Sequence, residues 1–224
     1  MYVCQPIVAS PGSIPLVDMS SRPRYPKGEG ERLRTDLLDA AADLLGTTGD
    51  IVSLRAIAAR AGVSPTAVYR HFDDHGELLR HAVAHCWREF ERTLAVAAAS
   101  SDDPFLAFRA AGDAYLAFAR EQPGKYRVLF SNKVDLDGGK VDLDLDEGVG
   151  VAAFDHLVGM VTAMLDANGD GRDPYFVAVQ VHTWIHGMVD LTGRHPSADW
   201  PPLDALLDDL ARRLGLVAPS TGSG

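Results

Sequence analysis

The stretch SLRAIAARAGVSPTAVYRHF, residues 53 to 72, decides how the rest of the chain is interpreted. Its first apolar residues recur at the spacing of one buried helical face: Leu54, Ile57, Ala58 and Ala61. Gly62 favours the left-handed conformation that ends a helix, and Ser64 followed by Pro65 is typical of a new helix start. Two helices joined by a short turn that contains Gly form a helix-turn-helix, whose second helix enters the DNA major groove.

The second helix of this motif has an inward and an outward face. We expect Ala67, Val68 and Phe72 to pack inward. The outward face then presents five side chains to a partner: Pro65, Thr66, Tyr69, Arg70 and His71. These residues are the candidates for contact with DNA.

The charge distribution separates this region from the rest of the chain. The whole protein carries 21 basic and 31 acidic residues, net −10, which is unusual for a protein that binds nucleic acid. Residues 51–72 nevertheless contain three Arg and no Asp or Glu. Residues 20–81 are balanced, so nearly all of the negative charge lies after them. An acidic body repels phosphates from every other face and favours contact through the helix-turn-helix.

From Arg34 to about Leu79 the sequence resembles the DNA-binding domain of the tetracycline-repressor (TetR) family of bacterial regulators. The resemblance rests on Ala40-Ala41, Gly49, Ile57-Ala58, the run from Ala61 to Ser64, and Tyr69-Arg70-His71-Phe72. It implies a homodimer that binds double-stranded operator DNA. The implied DNA-contacting residues are Ser53, Arg55, Ser64, Pro65, Thr66, Ala67, Tyr69, Arg70, His71 and His75.

His75 departs from the family pattern, because a Lys that contacts phosphate usually stands at this position. Imidazole loses its charge near neutral pH, whereas a lysine ammonium keeps it. The substitution therefore weakens one expected phosphate contact and predicts that it depends on pH.

The sequence divides into four regions. Residues 1–29 contain five prolines and no periodic pattern, which predicts a disordered arm, with Met19 as an alternative start. Residues 30–80 form the predicted helix-turn-helix domain, 81–216 a helical effector-binding and dimerisation domain, and 217–224 a flexible tail. No signal peptide or membrane-spanning run is evident, so we expect a cytoplasmic protein.

The predicted fold is all-α, with the nine helices typical of the family. Besides the two helices of the motif, the predicted bounds are Glu31 to Leu45, Asp74 to about Ala99, Pro104 to Glu121, Pro123 to Phe130, Glu147 to Asn168, Pro174 to Thr192 and Pro202 to Leu214. Residues 135–147, rich in Asp, are predicted to form a solvated loop.

The C-terminal region resembles a TetR-family sensor subtype with a Trp/His-Gly signature, carried by Trp184, His186 and Gly187. The resemblance implies that the last two helices of two subunits form a four-helix interface. The implied interface residues are Gly187, Met188, Leu191, Leu203, Leu206, Leu207 and Leu210.

Aromatic and sulfur-containing side chains between the fifth and eighth helices predict a site for a small, moderately apolar effector. The candidate lining residues are Tyr115, Phe118, Tyr126, Phe130, Phe154, Met160, Met164, His182, Trp184 and His186. No cofactor or metal is expected, since His182, His186 and Asp190 lack further ligands and the Asp166 to Asp170 loop is only half of a calcium-binding pattern.

Two other functions remain open at this stage. The chain lacks the common nucleotide-binding, nucleophile-elbow and zinc-hydrolase motifs, which makes a small helical enzyme a remote alternative. A DNA-binding activator, or a regulator without a small-molecule ligand, is the closer alternative to a ligand-released repressor.

Overall fold

A computed structural model of the chain describes residues 30–48, 52–130, 133–136, 139–142 and 150–218. These residues contain nine helices and one two-stranded hairpin. The helices are α1 Gly30–Thr48, α2 Leu54–Arg60, α3 Pro65–Val68, α4 His75–Ala98, α5 Pro104–Glu121, α6 Pro123–Leu129, α7 Val151–Ala167, α8 Pro174–Arg194 and α9 Leu203–Arg213. The predicted all-α fold is confirmed; the predicted N-terminal arm and most of the tail lie outside the described residues.

Side-chain caps begin four of the described helices, α2, α4, α5 and α8. Ser53 Oγ accepts a hydrogen bond from the N–H of Ala56 at 3.1 Å, which caps α2. Asp74 accepts from the N–H of Glu77 at 2.7 Å, and Glu77 accepts in return from the N–H of Asp73. This reciprocal pair is the predicted capping box of α4. An Asp also caps α5 and α8, in each case directly before a Pro.

Within the loop predicted for residues 135–147, the structure differs at residues 135–136 and 139–142; residues 137–138 and 143–147 lie outside the described residues. Lys133–Leu136 and Gly139–Asp142 form antiparallel strands β1 and β2, with Lys133 opposite Asp142. Apolar and polar residues alternate along both segments, which is the two-residue period of a strand. The acidic composition obscured this alternation in the sequence. The predicted first turn of α7, from Glu147, lies outside the described residues.

The core divides into connected clusters along α4. The N-terminal half of α4 packs with α1, α2 and α3 through Leu78, Leu79 and Val83, all fully buried. Its C-terminal half packs with α5, α6, α8 and α9 around Phe90. Trp87 packs against both clusters, so one side chain joins the two halves of the molecule.

A second connection runs between α1 and α6, where two glycines let the backbones touch. A Cβ built on Gly124 would lie 2.4 Å from the carbonyl oxygen of Gly46, and one built on Gly46 would lie 2.7 Å from the carbonyl carbon of Gly124. Arg127 also donates a 2.7 Å hydrogen bond to the carbonyl oxygen of Gly46. The short helix α6 is therefore fixed against the helix that supports α2 and α3. None of the described helices has the length and apolarity needed to cross a membrane.

Candidate DNA-binding surface and ligand cavity

The turn between α2 and α3 has the predicted geometry. Gly62 has φ of 72°, the left-handed conformation, and the N–H of Val63 donates to the carbonyl oxygen of Ala58 at 2.9 Å. This hydrogen bond closes the end of α2. Ser64 has extended backbone, and Pro65 begins α3 without a side-chain cap. The angle between α2 and α3 is thus fixed by backbone conformation.

Helix α3 is shorter than its sequence pattern predicts. Its α-helical part ends at Val68, and the chain continues with a hydrogen bond from the N–H of His71 to the carbonyl oxygen of Val68, three residues back. This tighter turn brings Phe72 back into the core, where 2% of it is exposed. Arg34 of α1 lies 5.0 Å above the Phe72 ring and holds it there.

The outward face of α3 and its following turn is open to solvent. The exposed residues are Ser64, Pro65, Thr66, Tyr69 and Arg70, while Ala67 and His71 are half-buried. Tyr69 is 57% exposed, so its ring is accessible to a partner. Such a ring beside an arginine is suited to contact with a sugar and its bases.

The phosphate-binding candidates lie on both sides of this face. Arg55 is exposed, and Ser53 is half-buried at the start of α2. The Ser53 oxygen accepts from Ala56, so its hydroxyl proton stays available for a phosphate oxygen. Arg60 is engaged elsewhere, because it forms a 2.7 Å ion pair with Asp43 of α1. The local positive charge therefore rests mainly on Arg55 and Arg70.

His75 occupies the first turn of α4 and is half-buried. Burial lowers its pKa below the ordinary value of 6.5, although the Asp74 carboxylate acts in the opposite direction. Its buried Nε2 atom has no hydrogen-bond partner among the described residues. At neutral pH the side chain is uncharged, so it offers no cation at the position where a phosphate-binding lysine is expected.

A cavity of about 520 Å³ lies in the C-terminal region and is lined by residues of α4, α5, α7, α8 and α9. Four of the ten predicted effector residues line it: Tyr115, Phe154, Met160 and His182. Tyr126, Phe130 and His186 lie beyond it and line a neighbouring groove between α6 and α8. Phe118, Met164 and Trp184 line neither space and pack into the core.

Sequence reasoning missed the contribution of α4 to the cavity. Trp87, Phe90 and Leu94 form one wall, and Leu207 of α9 lies in another. The α4 stripe predicts burial for these residues, but no local signal distinguishes a side chain that faces a cavity from one that fills the core. Gly112 also lines the space, and a Cβ built on it would lie 2.5 Å from the Leu207 side chain.

A hydrogen-bonded chain of polar side chains runs from the cavity wall to the neighbouring groove. The hydroxyl groups of Tyr115 and Tyr126 are 2.8 Å apart, and the Tyr126 hydroxyl is 2.7 Å from Nδ1 of His186. Burial raises the pKa of both tyrosines and lowers that of His186, whose charged form Asp190 favours. Tyr126 lies between the two and can accept a hydrogen bond from one neighbour while it donates to the other.

The lowered pKa values of His182 and His186 predict how the stability of the fold depends on pH. Burial lowers the pKa of His182, and the nearby His186 lowers it further. Both folded-state pKa values lie below 6.5, so the unfolded chain binds more protons in this range and acid favours unfolding. We expect the fold to have its full stability, with respect to these two histidines, above about pH 6.5. That stability should decrease as the pH falls towards their pKa values in the folded state.

Thermal unfolding between pH 7 and pH 5 measures this effect. His182→Gln, which does not titrate, is expected to show a smaller decrease in melting temperature than the wild type. The exposed His195 supplies the control, and His195→Gln should keep the wild-type slope. If the melting temperatures of all three proteins fell equally between pH 7 and pH 5, His182 would not be a source of the pH dependence.

Several other polar side chains that could act as metal ligands make local contacts. His85 Nε2 lies 2.9 Å from Asp39, and Asp190 pairs with Arg194 at 2.7 Å. Asp170 pairs with Arg172, and Asn168 donates to the carbonyl oxygens of Gly215 and Val217. Within the described ranges, no group of three His, Cys, Asp or Glu residues is arranged to hold a metal ion.

One face of α8 is uncovered along its length. Phe176 is 65% exposed and Leu191 45% exposed, and a Cβ built on Gly187 between them would meet no atom within 4 Å. Among the other predicted interface residues, Met188, Leu203 and Leu206 are half-buried, whereas Leu207 and Leu210 are buried inside the subunit. The exposed stripe therefore lies mainly on α8.

Comparison with known proteins matches both parts of the chain to one family. The family model described as bacterial regulatory proteins, tetR family, matches residues 37–82, and that of the tetracyclin repressor-like C-terminal domain matches residues 108–214. No curated protein matches the sequence.

Solved structures with the same fold are also found. A Rhodococcus sp. RHA1 protein of unknown function is 26% identical, with a TM-score of 0.66 over 85% of this chain and 95% of its own. A TetR-like transcriptional regulator from Rhodococcus sp. RHA1 is 23% identical, with a TM-score of 0.61 over 86% and 98% of the two chains. FadR from Bacillus subtilis, solved in complex with stearoyl-CoA, is 15% identical, with a TM-score of 0.63 over 80% and 96%.

The first family match contains the helix-turn-helix, and the second contains most of the cavity-lining residues. Together they span more than half of the 224 residues. The chain therefore belongs to the TetR family of transcriptional regulators, with a DNA-binding N-terminal domain and a ligand-binding C-terminal domain.

Proposed function

We propose that this regulator is a repressor that binds a palindromic operator as a homodimer and is released by a small, moderately apolar effector. The observation that carries the proposal is the position of Trp87. It lines the cavity and also packs against the core that supports α2 and α3. A ligand that displaces this ring changes the support of the DNA-binding helices.

The contact between α1 and α6 supports the same coupling. Tyr126 of α6 is hydrogen-bonded to Tyr115 in the cavity wall, and Gly124 of α6 touches Gly46 of α1. Effector binding and DNA binding are then linked reciprocally, by roughly 1–3 kcal/mol in typical cases. FadR from Bacillus subtilis, in complex with stearoyl-CoA, is an example of this fold with a bound ligand.

The dimer in this proposal forms through the uncovered stripe of α8, together with α9. A second copy would cover Phe176, Val179 and Leu191, and the open space at Gly187 lets a partner helix approach closely. Light scattering with Gly187→Trp tests this surface, because a bulky ring there should convert a dimer to monomers. The exposed Gly193→Trp, one and a half turns further along α8, is the control.

Arg70→Ala is the direct test of the proposed reading surface. If Arg70 contacts a guanine, we expect the change to weaken binding to the operator by about 1–3 kcal/mol, with little loss on random DNA. Arg120→Ala, which removes an exposed arginine from α5, should leave both affinities unchanged. An equal loss on operator and random DNA would instead assign Arg70 to a phosphate.

His75→Lys should strengthen DNA binding through charge alone. A new phosphate contact makes the slope of log affinity against log salt concentration more negative by about 0.9. Ala163→Lys adds one positive charge at an exposed position of α7 that does not line the cavity, and it is the control. If both variants give the wild-type slope in a salt titration, position 75 does not reach the DNA backbone.

A further inference from the structure

The cavity has an uncharged interior. None of the described side chains that line it is a Lys or an Arg. Its one carboxylate, Asp155, is exposed on the first turns of α7 and stays in contact with water. Six aromatic side chains form much of the remaining wall: Trp87, Phe90, Phe108, Tyr115, Phe154 and Tyr175.

The polar groups of the inner wall are neutral as well. Tyr115 is hydrogen-bonded to Tyr126, and burial holds both phenols in their protonated form. His182 is kept uncharged by burial and by the neighbouring His186. These groups can hydrogen-bond to a ligand, but they cannot neutralise an ionic one.

The volume sets the size of the occupant. About 520 Å³ corresponds to roughly 17 water molecules at about 30 Å³ each. A molecule with two or three fused rings is of a size to occupy this space.

We propose that the effector is an uncharged, mainly aromatic or alicyclic molecule, and that the cavity selects against ligands that carry a charge. This proposal rests on the proposed function and names the chemical class of the ligand. Among the described lining residues an anion would meet no Lys or Arg as a counter-ion, and it would enter against Asp155 and a chain of net charge −10. A cation would remain with Asp155 at the exposed edge, because the interior offers it no partner.

A matched set of naphthalene derivatives tests the selectivity on the full chain. Naphthalene-2-methanol is uncharged, naphthalene-2-carboxylate is an anion and naphthalene-2-methylammonium is a cation at pH 7.5. Each competes with Nile red, an uncharged dye whose fluorescence increases in apolar sites. We expect the alcohol to displace the dye at concentrations about tenfold or more below those of both ions, since burying an unpaired ion is costly. An ion that competes as well as the alcohol, or failure of all three to compete, overturns the proposal.

Met160→Lys locates the selectivity in the cavity, because it places an ammonium group in the lining of α7. We expect naphthalene-2-carboxylate to bind this variant about tenfold more tightly than it binds the wild type, and naphthalene-2-methanol to bind it more weakly. Ala163→Lys puts the same charge on the exposed face of α7 and should change neither affinity by more than about twofold. If Met160→Lys does not fold by circular dichroism, His156→Lys at the exposed cavity edge replaces it. An unchanged order of affinities in the folded variant contradicts the proposal.

Measuring release of the operator by the same compounds distinguishes a failure of this inference from a failure of the proposed function. If the alcohol binds selectively but leaves DNA affinity unchanged, ligand-gated repression fails and the selectivity of the cavity stands. If the carboxylate binds best and also releases the operator, ligand-gated repression stands and the uncharged class is wrong.

Discussion

Gly124→Ala is expected to destabilise the protein by roughly 3 kcal/mol, the upper part of the usual range for overpacking. The added methyl carbon would lie 2.4 Å from the carbonyl oxygen of Gly46 and 2.5 Å from its carbonyl carbon and Cα. These are backbone atoms of α1, so a side-chain rotation cannot relieve the contact. The helices must separate, and the hydrogen bond from Arg127 to Gly46 is lost with them.

Gly159→Ala is the matched control for this change. Gly159 lies inside α7, and a Cβ there meets no atom within 4 Å. Alanine at an open helical position is expected to stabilise by about 0.5–1 kcal/mol. If the close contact exists, urea unfolding gives a lower free energy of unfolding than the wild type for Gly124→Ala and a higher one for Gly159→Ala. A Gly124→Ala protein as stable as the wild type would show that α1 and α6 do not touch at these residues.

Phe90→Ala is expected to cost about 3–5 kcal/mol of unfolding free energy. Phe90 is 2% exposed, and its ring centroid lies 5.2 Å from that of Tyr115 and 5.1 Å from that of Phe118. Removing the ring enlarges the cavity and deletes its edge-to-face contacts at once. The cavity would then lose one of its aromatic walls.

Tyr175→Ala is the matched control, because it removes another aromatic ring of the cavity lining at an exposed position. Tyr175 also lines the cavity but is 60% exposed, so its removal leaves little buried space behind. We expect urea unfolding to show a decrease of less than about 1 kcal/mol in the free energy of unfolding, as for most exposed positions. Similar losses in the two variants would contradict the burial of Phe90 in this core.

Local sequence signals predicted the helix-turn-helix and most helix ends. Ser53, Gly62 and the pair Asp74 and Glu77 act on backbone groups within three or four residues, so their effect is readable without the fold. The all-α class and the nine helices follow from the same kind of signal. The end of α3 at Val68 was not predicted, because the return of Phe72 to the core depends on contacts with α1.

The cavity could be predicted only in part. A stripe of apolar residues shows which face of a helix is buried, but the direction of each ring depends on the neighbouring helices. Phe154 faces the cavity, whereas Phe118 packs into the core with Phe90. The contact between Gly46 and Gly124 joins residues far apart in sequence, and the burial of His75 likewise depends on the folded surroundings.

The central claim is that the exposed face from Ser64 to Arg70 reads DNA as part of a dimer. Selection of genomic fragments by the full chain, followed by footprinting, tests it most directly. The account predicts enrichment of one palindromic sequence, protected by two chains, with half-sites separated by about 34–36 Å or a multiple of this spacing. It also predicts that Arg70→Ala reduces the enrichment, because operator binding loses about 1–3 kcal/mol. Recovery of fragments with no common sequence, or an unchanged footprint with Arg70→Ala, would contradict it.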